Sequence, residues 1–328
     1  MCAGSCGFVM RGGFFVSQSL TASVKIKEKR KKMSGIQKRE AIAGYVFLLP
    51  SVAGLITFTA VPIVVGFIIS FTNYTGFPGA RFVGFDNYLR LTRDLFFHAA
   101  LRNNLVYAFT SVPATIILSL LLALMLNRII IGSGFFRTTY FFPNLTSMVA
   151  VSVVALMLFE PVRGPINNLL SLLGVPEDRL PGWFFSSRYA LTAVIITVVW
   201  RNAGYFMVMF LGGLKTIPTH LYESARIDGA NTWQCFWYIT WPMLSPTTFM
   251  VTILSFIWSF QVFDIINVTT EGGPGRATTV IVFRLYQEAF INWRMGYASA
   301  MAYVLFAIIM LFTLLQWRGQ KRWVSDDV

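Results

Sequence analysis

Four stretches of this 328-residue chain, 41–80, 103–127, 138–159 and 295–317, contain no Asp, Glu, Lys or Arg. About 20 consecutive apolar residues cross the hydrocarbon of a bilayer. Six segments reach that length, centred in 42–72, 103–127, 138–159, 189–213, 243–267 and 296–317. They are continuously apolar and lack the alternation of a barrel strand, so α-helix is the form that satisfies their backbone in lipid. The composition, 55% hydrophobic and 12% charged, is far from that of an ordinary soluble domain. The expected fold is all-α, a polytopic membrane protein with six transmembrane helices.

Lys and Arg orient the spans, because they collect on the cytoplasmic side. Lys25, Lys27, Lys29, Arg30, Lys31, Lys32, Lys38 and Arg39 precede the first span, relieved by Glu28 and Glu40. The N-terminus is therefore expected in the cytoplasm, and six crossings return the C-terminus to the same side. Arg318, Lys321 and Arg322 after the last span agree, as do Arg128 and Arg137 around the short second loop. Segments 73–100, 160–188 and 268–295 then face outward. The net charge of +13 sits largely in one juxtamembrane block with no interleaved aromatic residues and no nucleic-acid-binding motif. It is assigned to topology and anionic-lipid contact, not to nucleic acid.

Residues 1–40 read as a flexible basic cytoplasmic tail, 41–318 as the membrane domain and 319–328 as a cytoplasmic C-terminal tail. The weakly apolar Gly12–Val24 precedes the charge block, the reverse of a secretory signal. Met33 begins a stretch that would serve as an ordinary start, so the residues before it are expected to be dispensable. Cys2, Cys6 and Cys235 build neither a disulfide framework nor a metal-ligand pattern. The chain has no phosphate loop, no nucleophile elbow and no metal-spaced His pair, and His98 and His220 fall in loops. No enzyme activity, metal or cofactor is expected of this chain. Energy must come from a gradient or from another subunit.

The polar run Leu221–Asn231 stands between two long apolar segments, inside a loop over 214–242. Pro218 suits the first turn of a helix and Gly229 can end one. Glu223 and Arg226 or Ile227 share one side, while Leu221, Ser224, Ala225 and Asp228 recur at helical spacing. Small side chains at Ser224 and Ala225 let another surface approach the backbone. A second helical stretch, Trp233–Trp241, leads to Pro242, which would kink or end it. Trp233, Phe236, Trp237 and Tyr238 also suit an amphipathic helix lying on lipid.

The segment Glu223-Ser-Ala-Arg-Ile-Asp-Gly-Ala230, followed by Phe236, Ile239, Pro242 and Pro246, resembles the cytoplasmic loop of permease subunits in binding-protein-dependent ATP-binding-cassette importers. The sugar-importer branch, of the maltose, glycerol-3-phosphate and oligosaccharide type, is matched in further stretches. These are Phe47-Leu-Leu-Pro50, Phe82-Val-Gly-Phe-Asp-Asn-Tyr88, Phe135-Phe-Arg-Thr-Thr-Tyr-Phe-Phe-Pro143, Leu214-Lys-Thr-Ile-Pro218 and Thr270-Glu-Gly-Gly-Pro274 with Thr278. Ser224 stands where the family usually has Ala, which keeps the position small. The resemblance covers roughly 42–318 and implies a type I importer permease of a bacterial cytoplasmic membrane. Glu223, Ser224, Ala225, Asp228, Gly229 and Ala230 would then form the coupling helix that docks on an ATPase. The implied partners are a second permease in a heterodimer, two ATPase subunits that bind ATP and Mg, an extracytoplasmic solute-binding protein received at the outward segments, and a carbohydrate. Alternating access would move a central cavity from one face of the membrane to the other.

Polar residues within spans mark the solute path, because they are costly in lipid. Arg201 lies near the middle of the fourth span, where an Arg costs about 2.5–3.5 kcal/mol on insertion scales. Asn202 and Tyr205 lie within a turn of it, and Ser255, Trp258, Ser259, Gln261 and Asp264 occupy the fifth span, near the region the family uses for sugar contact. An aromatic face against a sugar ring, with amides bracketing its hydroxyls, is how such a cavity reads a carbohydrate. Arg201 either pairs with Asp264 or attracts an anionic solute such as an acidic, alginate-type oligosaccharide. Asn73, Tyr74, Asn144 and Thr146 are further candidates, as ligand contacts or as helix-packing glue. An ion-coupled secondary transporter is the alternative class, and it would need embedded acidic residues; Asp264 and Glu160 come near the membrane only at span ends. A membrane scaffold would leave the polar loop without purpose.

Overall fold

The computed structural model of the chain describes residues 35–128 and 132–320. The basic cluster at 25–32, Gly12–Val24, Met33, Cys2, Cys6, Lys321, Arg322 and the last residues of the C-terminal tail lie outside the described residues. The chain divides into two units between Ala60 and Val61.

The first unit holds helix α1 (Gly35–Leu55) and a π-helical turn, Ile56–Ala60. The helix therefore begins ahead of the expected boundary at 41, and residues 35–40 belong to it. Tyr45, Phe47 and Phe58 are all more than 70% exposed, as apolar side chains on a lipid-facing helix are.

The second unit is built from α2 (Val61–Ser70), α3 (Leu95–Arg128), α4 (Ser133–Leu145), α5 (Met148–Leu158), α6 (Ala190–Thr216), α7 (Thr219–Ile227), α8 (Ser245–Phe260), α9 (Asp264–Thr269) and α10 (Met295–Gln320), with shorter helical turns between them. Among the described residues five helical stretches are long and apolar enough to span a membrane: Lys38–Ser70, Leu95–Arg128, Ala190–Thr216, Ser245–Thr269 and Met295–Gln320. The expected third span is the exception, since α4 and α5 meet at an angle of 98°. Pro143 supplies no N–H to the helix, and the Thr146 hydroxyl donates to the Pro143 carbonyl at 2.7 Å, taking an acceptor that a continuing helix would use. Thr146 is extended, with φ −77° and ψ 151°. The apolar count of 138–159 hides this, because a local Pro-Asn-Leu-Thr-Ser punctuation does not lower hydropathy.

Helix α6 is the centre of the unit. It packs against α3, α4 and α8. One apolar core, including Leu120, Phe206, Phe210 and Leu244, joins α3, α6 and the entry to α8 near the loop over 214–242; a second, around Tyr107, Val194, Trp183 and Ile265, lies toward the other end. Gly204 permits the closest approach: a Cβ there would lie 1.8 Å from the Tyr140 carbonyl oxygen of α4. Helix α10 packs on α2 and α8, and the Tyr303 hydroxyl donates to the Ile63 carbonyl.

Asparagines tie the non-helical segments to these helices. Asn87 Nδ2 donates to the Ser70 and Thr72 carbonyls, both at 2.8 Å, closing the end of α2. Asp94 opens α3 by accepting from the Phe96 N–H at 2.8 Å, and the Tyr297 hydroxyl of α10 donates to it at 2.7 Å. Burial works against the Asp94 charge, but the Tyr297 hydroxyl, the Phe96 and Phe97 N–H groups and Arg284 outweigh it and hold the carboxyl below its ordinary value. Fully buried Asn104 donates to the Ser259 carbonyl at 3.2 Å and accepts from the Ile281 N–H at 2.9 Å. Asn104→Ala would orphan both groups, at about 1–3 kcal/mol for each buried group left unpaired. A lowered thermal midpoint of the purified protein is expected; an unchanged midpoint would remove Asn104 from this role.

Candidate functional site

Two places in the second unit carry the polar chemistry. The first is a cavity of about 230 Å³ between α3, α6, α8 and α9. Arg201 and Asn202 reach it from α6, Ser255, Trp258 and Ser259 from α8, and Gln261 and Asp264 from the bend that follows. Seven of the eight side chains expected on the solute path therefore share one cavity. Tyr205 does not line it; its ring packs behind, 5.0 Å from Trp258 and 5.2 Å from Phe206, and so supports the aromatic wall. The fifth span breaks after Phe260, which puts Asp264 in the first turn of α9 and not inside a continuous helix. A carboxylate at a helix N-terminus is favoured by the dipole.

Sequence reasoning missed other members of the wall. Tyr107, Ser111 and Thr115, spaced four apart on α3, face the same cavity; the 3.6-residue period puts them in line, but their apolar neighbours gave no reason to single them out. The Ser255 hydroxyl is buried with no hydrogen-bond partner, and so is Arg201 Nε. Arg201 makes no ion pair with Asp264 among the described residues. Its Nη2 donates to the Asn144 and Thr146 carbonyls, each at 3.2 Å, and Nη1 lies 3.4 Å from Asn202 Oδ1. Asn144 and Thr146 thus contribute backbone, not side chains, to this region. Asn73 lies elsewhere, its side chain accepting from the Arg81 N–H at 2.7 Å, and Tyr74 accepts from the Gly296 N–H through its carbonyl.

The second place is α7. Pro218 caps it in place of starting it, and the helix runs from Thr219. Gly229, at φ +82°, follows the cap residue Asp228; its N–H bonds the Arg226 carbonyl at 3.1 Å and the Ala230 N–H bonds the Ala225 carbonyl at 2.8 Å. This is the Schellman ending, which asks for glycine. Leu221 and Tyr222 pack on the core below, and the Tyr222 hydroxyl meets the Thr240 hydroxyl at 2.9 Å. Ala225 and Ala230 are half-buried, whereas Glu223, Ser224, Arg226, Asp228 and Gly229 are exposed. Ile227 is 87% exposed, an apolar side chain standing out of a polar loop. The following segment starts with a capping box between Asn231 and Gln234 and widens into a π-helical turn over Phe236–Thr240 before Pro242, so it is not one straight helix. Among the described residues no group of three His, Cys, Asp or Glu side chains could hold a metal ion.

Residues 116–323, which include α7 and the α6, α8 and α9 walls of the cavity, match the family described as the binding-protein-dependent transport system inner membrane component. The chain belongs to this family. It is a transport subunit of the membrane, not an enzyme. A probable ABC transporter permease protein of Pyrococcus horikoshii is 34% identical over 84% of this chain and 96% of its own. The lactose transport system permease protein LacF of Rhizobium radiobacter is 32% identical over 88% of this chain and 97% of its own. The multiple sugar-binding transport system permease protein MsmF of Streptococcus mutans is 32% identical over 85% and 95%. The fold is that of a permease in a bacterial ABC transporter involved in the import of the acidic polysaccharide alginate, at a TM-score of 0.76, 24% identity and coverage of 88% of this chain and 98% of that one. That transporter has also been solved in complex with an alginate pentasaccharide-bound periplasmic protein.

In this permease the ending of α7 is testable by itself. Gly229→Ala forces a β-carbon into the left-handed region, which costs about 1–2 kcal/mol. Faster amide exchange at Gly229 and Ala230 is expected, with the spans unaffected; unchanged protection there would refute the capping role.

Proposed function

We propose that this permease imports a carbohydrate, an oligosaccharide by preference, in an ATP-driven transporter of the bacterial inner membrane. The observation that carries the reading is the continuity of one segment. Helix α6 lines the cavity with Arg201 and Asn202 and runs without interruption to Thr216, two residues before the exposed α7. A push on α7 is thereby delivered to the cavity wall along a single helix.

The cavity suits a sugar. Trp258, backed by Tyr205, offers an aromatic face, and Asn202, Gln261, Ser255 and Ser111 offer amides and hydroxyls around it. At about 230 Å³ it falls below the roughly 300–1,000 Å³ of sites that enclose a drug-sized ligand, so an oligosaccharide needs further wall. A second, related permease would supply it. The lactose and multiple-sugar relatives support the substrate class.

In the same reading both termini lie in the cytoplasm, from the Lys and Arg distribution, and α7 faces the same side. Glu223, Ser224, Asp228 and Ile227 would seat in a cleft of an ATPase, with Ala225, Gly229 and Ala230 shaping the helix behind them. Two such ATPase subunits bind ATP and Mg, and an extracytoplasmic binding protein delivers the solute to the outward segments. Exposed Ile227 supports a partner here, since covering it removes apolar surface from water.

The test is a reconstituted complex of the permease with its sister subunit, ATPase and binding protein. Solute-stimulated ATP hydrolysis is expected to disappear in the double variant Glu223→Ala plus Gly229→Pro while the subunits still co-purify. Stimulation that survives this change would show that α7 does not transmit the stroke.

A further inference from the structure

The break between α4 and α5 places backbone acceptors inside the membrane. The last carbonyls of a helix have no partner in its own ladder, and in lipid no water replaces one. One side chain takes two of the carbonyls at this break. Arg201 Nη2 donates to the Asn144 carbonyl and to the Thr146 carbonyl, both at 3.2 Å. Three residues along the same face of α6, Gly204 lets the helix backbone close onto the Tyr140 carbonyl of α4. Helix α6 thus grips the broken span at two points within one turn, the Tyr140 backbone and the elbow at Asn144–Thr146. Met148, the first residue of α5, lines the cavity.

The use of Nη2 has a chemical consequence. A guanidinium offers a carboxylate two bidentate edges, Nη1 with Nη2 and Nε with Nη2. Both edges need a free N–H on Nη2. Here Nη2 already donates to two main-chain carbonyls, so at either edge a solute carboxylate would have to compete with the backbone for Nη2. Nη1 is turned toward Asn202 at 3.4 Å, and Nε is left with a single unpartnered donor. Asp264, lining the same cavity, adds a negative charge that further opposes an anion.

We propose that Arg201 is the latch of the broken third span, a positioning residue that holds the elbow against α6 and so sets the Met148 side of the cavity, and that it does not read the charge of the solute. The transport consequence rests on the carbohydrate reading above; the structural one does not.

Two measurements test it. Spin labels at Phe135 on α4 and Met157 on α5, whose native side chains are 72% and 69% exposed, report the elbow by their separation in the full chain in lipid nanodiscs, with Cys2, Cys6 and Cys235 replaced by Ser. A narrow distance distribution is expected with Arg201, a broadened or shifted one in Arg201→Met, and a return to the narrow one in Arg201→Lys, whose ammonium can donate to both carbonyls. If Arg201→Met does not fold, Arg201→Gln takes its place. A folded variant without the cation that keeps the narrow distribution, or a Lys variant that stays broad, overturns the latch. In the assembled transporter, Arg201→Met is expected to lose uptake of neutral and uronate oligosaccharides by the same factor, and Arg201→Lys to recover both. Selective loss of uronate uptake would make Arg201 an anion-binding residue and overturn the proposal. Absence of any carbohydrate uptake by the unaltered complex would sink the carbohydrate reading alone, leaving the spin-label distances to decide the latch.

Discussion

A backbone carbonyl in the bilayer core finds no water, and among the described residues several interruptions of helix are met by a particular side chain. Where α4 stops, Arg201 takes the Asn144 and Thr146 carbonyls. Where the chain turns between α9 and α10, Asn103 holds the Arg276 and Thr279 carbonyls at 2.7 and 2.9 Å, and the Thr278 and Thr279 hydroxyls hold the Gly273 and Gly272 carbonyls at 2.8 and 2.9 Å. Asn167 does the same between Pro161 and Pro181 while accepting from the Trp183 indole at 2.6 Å. At the elbow these bonds are worth more than their count suggests, because in lipid the alternative is an unsatisfied group and not a hydrated one. The broken spans are thus fixed shapes, and the cavity they line inherits that fixity.

The same constraint accounts for the position of the charges. Glu288, fully buried in the segment between α9 and α10, is held by Arg284 at 2.5 Å and Arg294 at 3.6 Å and accepts from Asn292 at 3.0 Å. Arg276 and Arg284 both lie over the Phe96 ring, at 3.7 and 4.7 Å. A buried carboxylate with two cations is costly to break one partner at a time. Its role in packing that segment onto the start of α3 is therefore structural.

Much of this architecture was legible. Apolar runs gave five of the six expected spans to within four residues at every end but one, the start of α3 at Leu95 against an expected 103, since hydrocarbon thickness sets their length whatever the partners. Gly229 and the polar run from Leu221 gave α7, because a Schellman ending and helical spacing are local rules. The elbow was not legible: Pro143 alone allows either a kink or a stop, and what chose the stop is a guanidinium 57 residues away in sequence. Tyr107, Ser111 and Thr115 escaped for the related reason that a polar residue in an apolar helix may face a cavity or a neighbouring carbonyl, and only packing decides. Glu288 escaped because its partners Arg284, Asn292 and Arg294 read as an ordinary polar loop.

The loop helix can carry force only if it is stiff at its attachments, and its local chemistry supplies that stiffness. Its start is braced by Pro218, whose ring fixes φ, and its end by the bonded N–H groups of Gly229 and Ala230. Its inner face is held sideways, by Leu221 and Tyr222 on the core and by the Tyr222–Thr240 hydroxyl contact, to the segment that leads into α8. In the proposed function a load applied at Glu223 or Ile227 would therefore reach α6 and the start of α8 together. Those two helices carry Arg201, Asn202, Ser255 and Trp258, so in the proposed function such a load would displace the two walls of the cavity as a pair, without either helix having to unwind.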